Sequence, residues 1–123
     1  VGFAHKFAFD SYVTAFAPGN ERMLDQYFVP NLIMFNYAMS KQLGLNDLKS
    51  RLPNIHKIFK DLKSEINDVI ADEDRIAFRV EQNALFFKHK PAGVQIRLDT
   101  MNLYKLESDK VKEWHIWVNK TEI

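Results

Sequence analysis

The chain predicts an α+β domain, with three N-terminal helices packed on one side of a curved antiparallel or mixed sheet. Three observations carry this. Residues 94–106 and 111–119 are long runs rich in β-branched and aromatic side chains, and they flank the polar turn Glu107-Ser108-Asp109-Lys110, which is a hairpin signature. Both runs exceed the roughly five or six residues of an ordinary strand, so they form the centre of a strongly curved sheet. The overall order, helix, helix, strand, helix and then four strands, groups helices ahead of an antiparallel meander. A curved sheet capped by helices closes into a cone with an apolar interior, a natural pocket for a small molecule.

Taken in order, residues 3–17 form the first helix. Phe9, Tyr12, Val13 and Phe16 recur at three- and four-residue spacing as one apolar stripe. Pro18-Gly19 ends it. Asn20 caps a second helix over 21–28, with Glu21 well placed against its dipole. Met23, Leu24, Tyr27 and Phe28 make its buried face, and Pro30 stops it. Residues 31–37 read as a short strand, with Leu32, Met34 and Asn36 on one face and Ile33, Phe35 and Tyr37 on the other.

Gly44 breaks the chain, and Asn46 or Asp47 caps a third helix whose face holds Leu48, Leu52, Ile55, Phe59 and Leu62. Pro53 inside that pattern predicts a kink or two short helices. Lys49, Arg51, Lys57, Lys60 and Lys63 make a solvated basic face. Residues 65–71 and 75–87 are strands joined by the acidic turn Asp72-Glu73-Asp74. On the second, Ile76, Phe78, Val80, Gln82 and Ala84 share one side, and Arg79, Glu81, Asn83 and Leu85 the other. A turn over 88–93 carries Pro91 and Gly93 and leads into the hairpin.

Bulk properties set limits. The 123 residues make one domain, 1–123. With 46% hydrophobic residues and ten Phe the chain is globular. Seventeen basic against 16 acidic side chains leave a net charge of +1, which offers no field for nucleic acid or an anionic membrane, and neither is expected as a partner. The lack of cysteine excludes disulfides, thiolate metal sites and cysteine nucleophiles. No apolar run approaches the roughly 20 residues of a membrane span, and a cytoplasmic location is expected. The start at Val1 rather than Met leaves N-terminal processing open. The four glycines build no phosphate loop and no serine elbow. No two of His5, His56, His89 and His115 have the spacing of a helical metal pair. No metal and no cofactor are expected.

What remains is a set of polar residues on faces expected to point into the cone: Tyr12 on the first helix, Asn36 beside Met34, Gln82 after Phe78 and Val80, and Asp99 on one side with Met101 and Leu103. Phe16, Trp114 and Ile116 complete the expected apolar lining. A carboxylate among apolar walls is either paired or raised in pKa, and a raised pKa suits a general acid or base. The competing reading pairs Asp99 with Arg97 or Arg79, or sets it at an exposed rim.

The chain resembles the NTF2-like superfamily of cone-shaped, cystatin-like folds, which includes ketosteroid isomerases and SnoaL-like polyketide cyclases. Residues 12–16, 24–28 and 32–36 look like the opening of a ketosteroid isomerase. Phe59-Lys60-Asp61-Leu62, the stretch from Ala71 to Phe78, and Asp109-Lys110-Val111-Lys112-Glu113-Trp114 are similar to motifs of SnoaL-like proteins. The resemblance implies that Tyr12 stands where the isomerases keep an oxyanion donor. It puts Asn36, which takes no proton at neutral pH, where they keep the base. The protonated aspartate of their oxyanion hole falls near Asp99, while an ungapped count from the last hairpin puts Met101 there. SnoaL-like members often carry His-Trp-Asp in the last hairpin, and here Trp114 and Ile116 hold the positions of the His and Asp.

Three functional readings follow. The first is a protein that binds a small apolar or aromatic ligand in the cone. The second is a metal- and cofactor-free isomerase or cyclase that uses Asp99 and Tyr12 to abstract a proton next to a carbonyl. The third is an association module. The outer sheet face, expected to carry Ile96, Leu98, Tyr104, His115 and Trp117, is too apolar for a monomer and predicts a homodimer through His115, Trp117 and Tyr104.

Overall fold

The computed structural model describes residues 2–16, 21–87 and 91–122. In chain order it holds α1 (Gly2–Thr14), a 3-10 turn (Glu21–Met23), α2 (Leu24–Tyr27), β1 (Phe28–Asn36), β2 (Lys41–Leu43), α3 (Leu45–Ile58), β3 (Phe59–Ala71), β4 (Arg75–Phe86), β5 (Val94–Glu107) and β6 (Lys110–Glu122). The strands form one curved, unclosed sheet in the order β2-β1-β6-β5-β4-β3. All neighbours are antiparallel except β1 and β6, which run parallel. This is the α+β cone expected from the sequence. Among the described residues no helix is long and apolar enough to cross a membrane.

Several elements differ from expectation. Of the expected stripe Tyr12 is fully buried and Phe16 packs partly buried against the core, but Phe9 is exposed, and the rest of the buried side of α1 is Ala4, Ala8 and Ser11. Small residues let the helix backbone approach the sheet, and Tyr12 alone reaches deep into the core. Ala17 and the expected cap Asn20 lie outside the described residues. The second helix is a 3-10 turn plus a single α turn, and Phe28 already belongs to β1, opposite Val111 of β6. β2 pairs Met34, Phe35 and Asn36 of β1 with Leu43, Gln42 and Lys41; sequence patterning gave no sign of it.

In α3, Gly44 takes the N-cap position, and the Asp47 carboxylate accepts the Gly44 N–H at 2.7 Å, satisfying one of the donors a helix start leaves open. Pro53 sits inside one continuous 14-residue helix. Its missing N–H is tolerated because Leu48 and Leu52 anchor the helix to the core ahead of it. The helix ends at Ile58, so Phe59 and Leu62 belong to β3 and not to its apolar face.

The bend of the sheet is written into β3. Its register against β4 shifts twice, between Lys60 and Lys63 and between Asn67 and Ile70. Asp61 and Asp68 sit at these shifts with φ of +53° and +55°, a region that Asp and Asn enter more readily than most residues. Bulges of this kind bend a strand and increase its twist.

The core is aromatic. Tyr12, Phe28, Phe78, Tyr104 and Trp114 are fully buried and meet edge-on or stacked, with ring centroids 4.9–6.2 Å apart, favourable geometries for such pairs. Tyr104, expected on the outer face, lies in this core, and so does Ile96. Leu98 also faces inward.

Candidate functional site

The mouth of the cone opens on a cavity of about 210 Å³. Each side contributes by its own periodicity. From α1 comes Tyr12, from the turn after it Ala15 and Phe16, and from α3 Leu48, Arg51 and Ile55, three or four residues apart on one helix face. The sheet supplies alternate residues: Met34 and Asn36 of β1, Gln82 of β4, Leu98 and Thr100 of β5, and Trp114, Ile116 and Val118 of β6. Of the expected site residues, the candidate catalytic donor Tyr12 and the candidate ligand-binding residues Phe16, Met34, Asn36, Gln82, Trp114 and Ile116 come together here.

Phe78 and Val80 face inward as expected but are packed within the core and do not reach the cavity wall. Met101 and Asp99 are on the other side of the sheet. Met101 is half exposed. Asp99 borders a shallow depression on the outer face with Arg79 and Trp117, and Arg97 holds it with Nε 3.2 Å from Oδ2 and Nη2 3.2 Å from Oδ1. The expectation that Asp99 and Met101 point into the cone is therefore corrected.

The cause is one surplus residue in the last hairpin. Leu106 pairs with Val111, but Lys105 pairs with Glu113, so Lys112 is left without an opposite number. Counting back from the turn without this bulge sets Leu103 against Trp114 and turns Asp99 inward. With the bulge, Tyr104 lies opposite Trp114, Asn102 opposite Ile116 and Thr100 opposite Val118. A shift of one residue exchanges the faces of the whole strand.

Most of the inward polar residues are joined in one line. Trp114 Nε1 donates to Asn102 Oδ1 at 2.9 Å, and Asn102 Nδ2 donates to Thr100 Oγ1 at 2.9 Å. Thr100 is 3.1 Å from the Tyr12 hydroxyl, which donates to Gln82 Oε1 at 3.0 Å, and Gln82 Nε2 donates to Ser64 Oγ at 3.0 Å. Thr100, Asn102 and Gln82 are almost fully buried, and the line satisfies polar groups that would otherwise cost free energy there. Burial pushes the Tyr12 hydroxyl well above the ordinary tyrosine range, the Thr100 hydrogen bond opposing it. Tyr12 therefore stays protonated at neutral pH and acts through hydrogen bonds alone.

Sequence reasoning missed Thr100, Leu98, Val118 and Arg51. For the first two the bulge is the reason, since counting without it turns them to the outer face. Arg51 reads from sequence as part of the solvated basic face, yet its spacing to Leu48 and Ile55 matches the cavity side. A second groove of about 440 Å³ lies beyond Phe16 and Phe59, which line both spaces, and it is bordered by His56, Lys60 and Asp61.

A family model of SnoaL-like polyketide cyclases matches residues 7–123. The chain belongs to the SnoaL-like polyketide cyclase family. Among solved structures, this SnoaL-like chain is similar to AclR of Streptomyces galilaeus, described as a candidate hydroxylase, at 19% identity and a TM-score of 0.76, covering 96% of this chain and 79% of that one. It is similar to IdmH of Streptomyces antibioticus, described as a candidate polyketide cyclase, at 12% identity and a TM-score of 0.78, covering 94% and 91%. A candidate cyclase of Acidithiobacillus ferrooxidans matches at 17% identity and a TM-score of 0.75, covering 94% and 87%. Likeness at these identities speaks for the SnoaL-like fold alone. Comparison with curated proteins finds no match.

Proposed function

We propose that this SnoaL-like chain binds a small apolar or aromatic molecule inside its cone. The observation that carries the reading is the composition of the cavity wall. Aromatic and aliphatic side chains dominate it, and among the described residues it includes no Asp, Glu, His or Lys. Such a wall favours an apolar guest by removing its surface from water, and Tyr12, Asn36 and Gln82 supply a few orienting polar groups. The alternative, proton abstraction by Asp99 with Tyr12 as oxyanion donor, is weakened by the position of Asp99 outside the cavity and by its pairing with Arg97.

The test uses naphthalene carboxamide, a neutral aromatic probe, in titration calorimetry. Binding to the wild-type chain is expected, together with its loss in Val118→Trp, which fills the cavity from a half-buried position with little disturbance of the core. Equal binding to both proteins would rule out this cavity as the site.

A second reading concerns assembly and rests on a separate observation. On the outer face Phe35, Tyr37, His115 and Trp117 form a stacked ladder, with ring centroids 4.7–6.5 Å apart. Trp117 is 44% exposed and Met101 50%. An apolar patch of this kind suits a partner surface, and a second copy of the chain, placed face to face, covers both patches at once.

A further inference from the structure

Among the described residues, the cavity wall carries one charged side chain. Arg51 lines the wall between Leu48 and Ile55 of α3. Its one hydrogen-bond partner among the described residues is the Met39 sulfur, 3.7 Å from Nη2, a weak acceptor. No carboxylate oxygen of the described residues lies within ion-pair distance of it. The sheet arginines differ: Arg75 pairs with Asp72, Arg79 with Asp68 and Glu81, and Arg97 with Asp99 and Glu81. Asn36, which lines the same cavity, is 8% exposed. Its Oδ1 accepts the Met39 N–H at 3.1 Å, and its amide N–H groups have no partner among the described residues. A guanidinium and a free amide donor lining one apolar cavity form a site for an anion, since a planar guanidinium favours carboxylates.

We infer that the ligand is an aromatic or alicyclic carboxylic acid whose carboxylate meets Arg51 and the Asn36 amide while its ring fills the cone. The inference rests on the binding reading above and adds the chemical class of the guest. Size agrees: an apolar cavity of roughly 150 Å³ admits benzene, and this one, at about 210 Å³, suits one ring or two fused rings.

The experiment compares naphthalene carboxylate with naphthalene carboxamide, a probe of nearly the same shape without the charge, by calorimetry on the full chain. The wild type should bind the carboxylate about tenfold or more tightly than the carboxamide, the scale of a charge-assisted pair at a partly exposed site. Arg51→Gln should bring that ratio close to one, and Arg51→Lys, which keeps the charge but loses the planar fork, should retain part of it. Matching melting curves for the variants would exclude a folding defect. Equal affinity of the wild type for the two probes, or a preference that survives Arg51→Gln, overturns the inference and leaves the cavity reading intact. Failure of both probes to bind overturns the two together.

Discussion

The hydroxyl of Tyr12 donates to Oε1 of Gln82 at 3.0 Å and so ties α1 to β4 across the base of the cavity. Both residues are buried. Tyr12→Phe keeps the ring and its contacts with Phe16, Phe78 and Trp114, but leaves Gln82 Oε1 and the Thr100 hydroxyl short of a partner. The expected cost is about 1–3 kcal/mol, measured by urea denaturation with an unchanged m-value. A neutral or stabilising result would mean that the line of hydrogen bonds contributes nothing net.

Asp99→Asn should have little effect. The residue is on the outer face beside Arg97, and both side chains are partly exposed, a setting in which ion pairs contribute no more than about 1 kcal/mol. Ligand affinity should match that of the wild type. A large loss of affinity would show that Asp99 reaches the cone after all.

Trp117→Glu tests the face-to-face pair. A charge set into an apolar contact would have no partner there, so the variant should sediment as a monomer at concentrations where the wild type is a dimer. Dimers that persist in the variant would locate the contact elsewhere, and a monomeric wild type would remove the assembly reading.

Sequence patterning proved legible where each strand alternates cleanly. Ile76, Phe78, Val80, Gln82 and Ala84 all face inward, as their period of two requires, and Leu32, Met34 and Asn36 do the same. It failed where the more polar of two alternating pairs is the buried one. On β5, Met101 and Leu103 alternate with Thr100 and Asn102, and hydrophobicity alone favours the first pair for the interior. The structure buries the second pair, because the Tyr12 hydroxyl and the Trp114 indole, 88 and 12 residues away, complete their hydrogen bonds. Such long-range satisfaction leaves no local trace. Arg51 was hidden for a related reason: a cation on a helix surface reads as solvated until the sheet opposite is known to lack a carboxylate partner for it.

The bulge itself makes the last prediction. Deleting Lys112 removes the residue of β6 that has no opposite number, and every pair from Glu107–Lys110 to Ile96–Glu122 remains possible in an unbroken ladder. Val111 and Trp114 would still face inward and Lys105 and Glu113 outward. The expected loss of stability is therefore small, about 1–2 kcal/mol for the local twist that the bulge supplies. Deleting Met101, in the regular part of β5, gives the opposite outcome. It moves residues 94–100 by one step and turns Ile96, Leu98 and Thr100 away from the core. That change should cost more than about 4 kcal/mol, in the range reserved for disrupted cores. Thermal or urea unfolding of the two deletions, run side by side, reads the difference. If the Lys112 deletion proves the more damaging of the two, the bulge does not set the face of β5, and the assignment of Asp99 to the outer surface must be reopened.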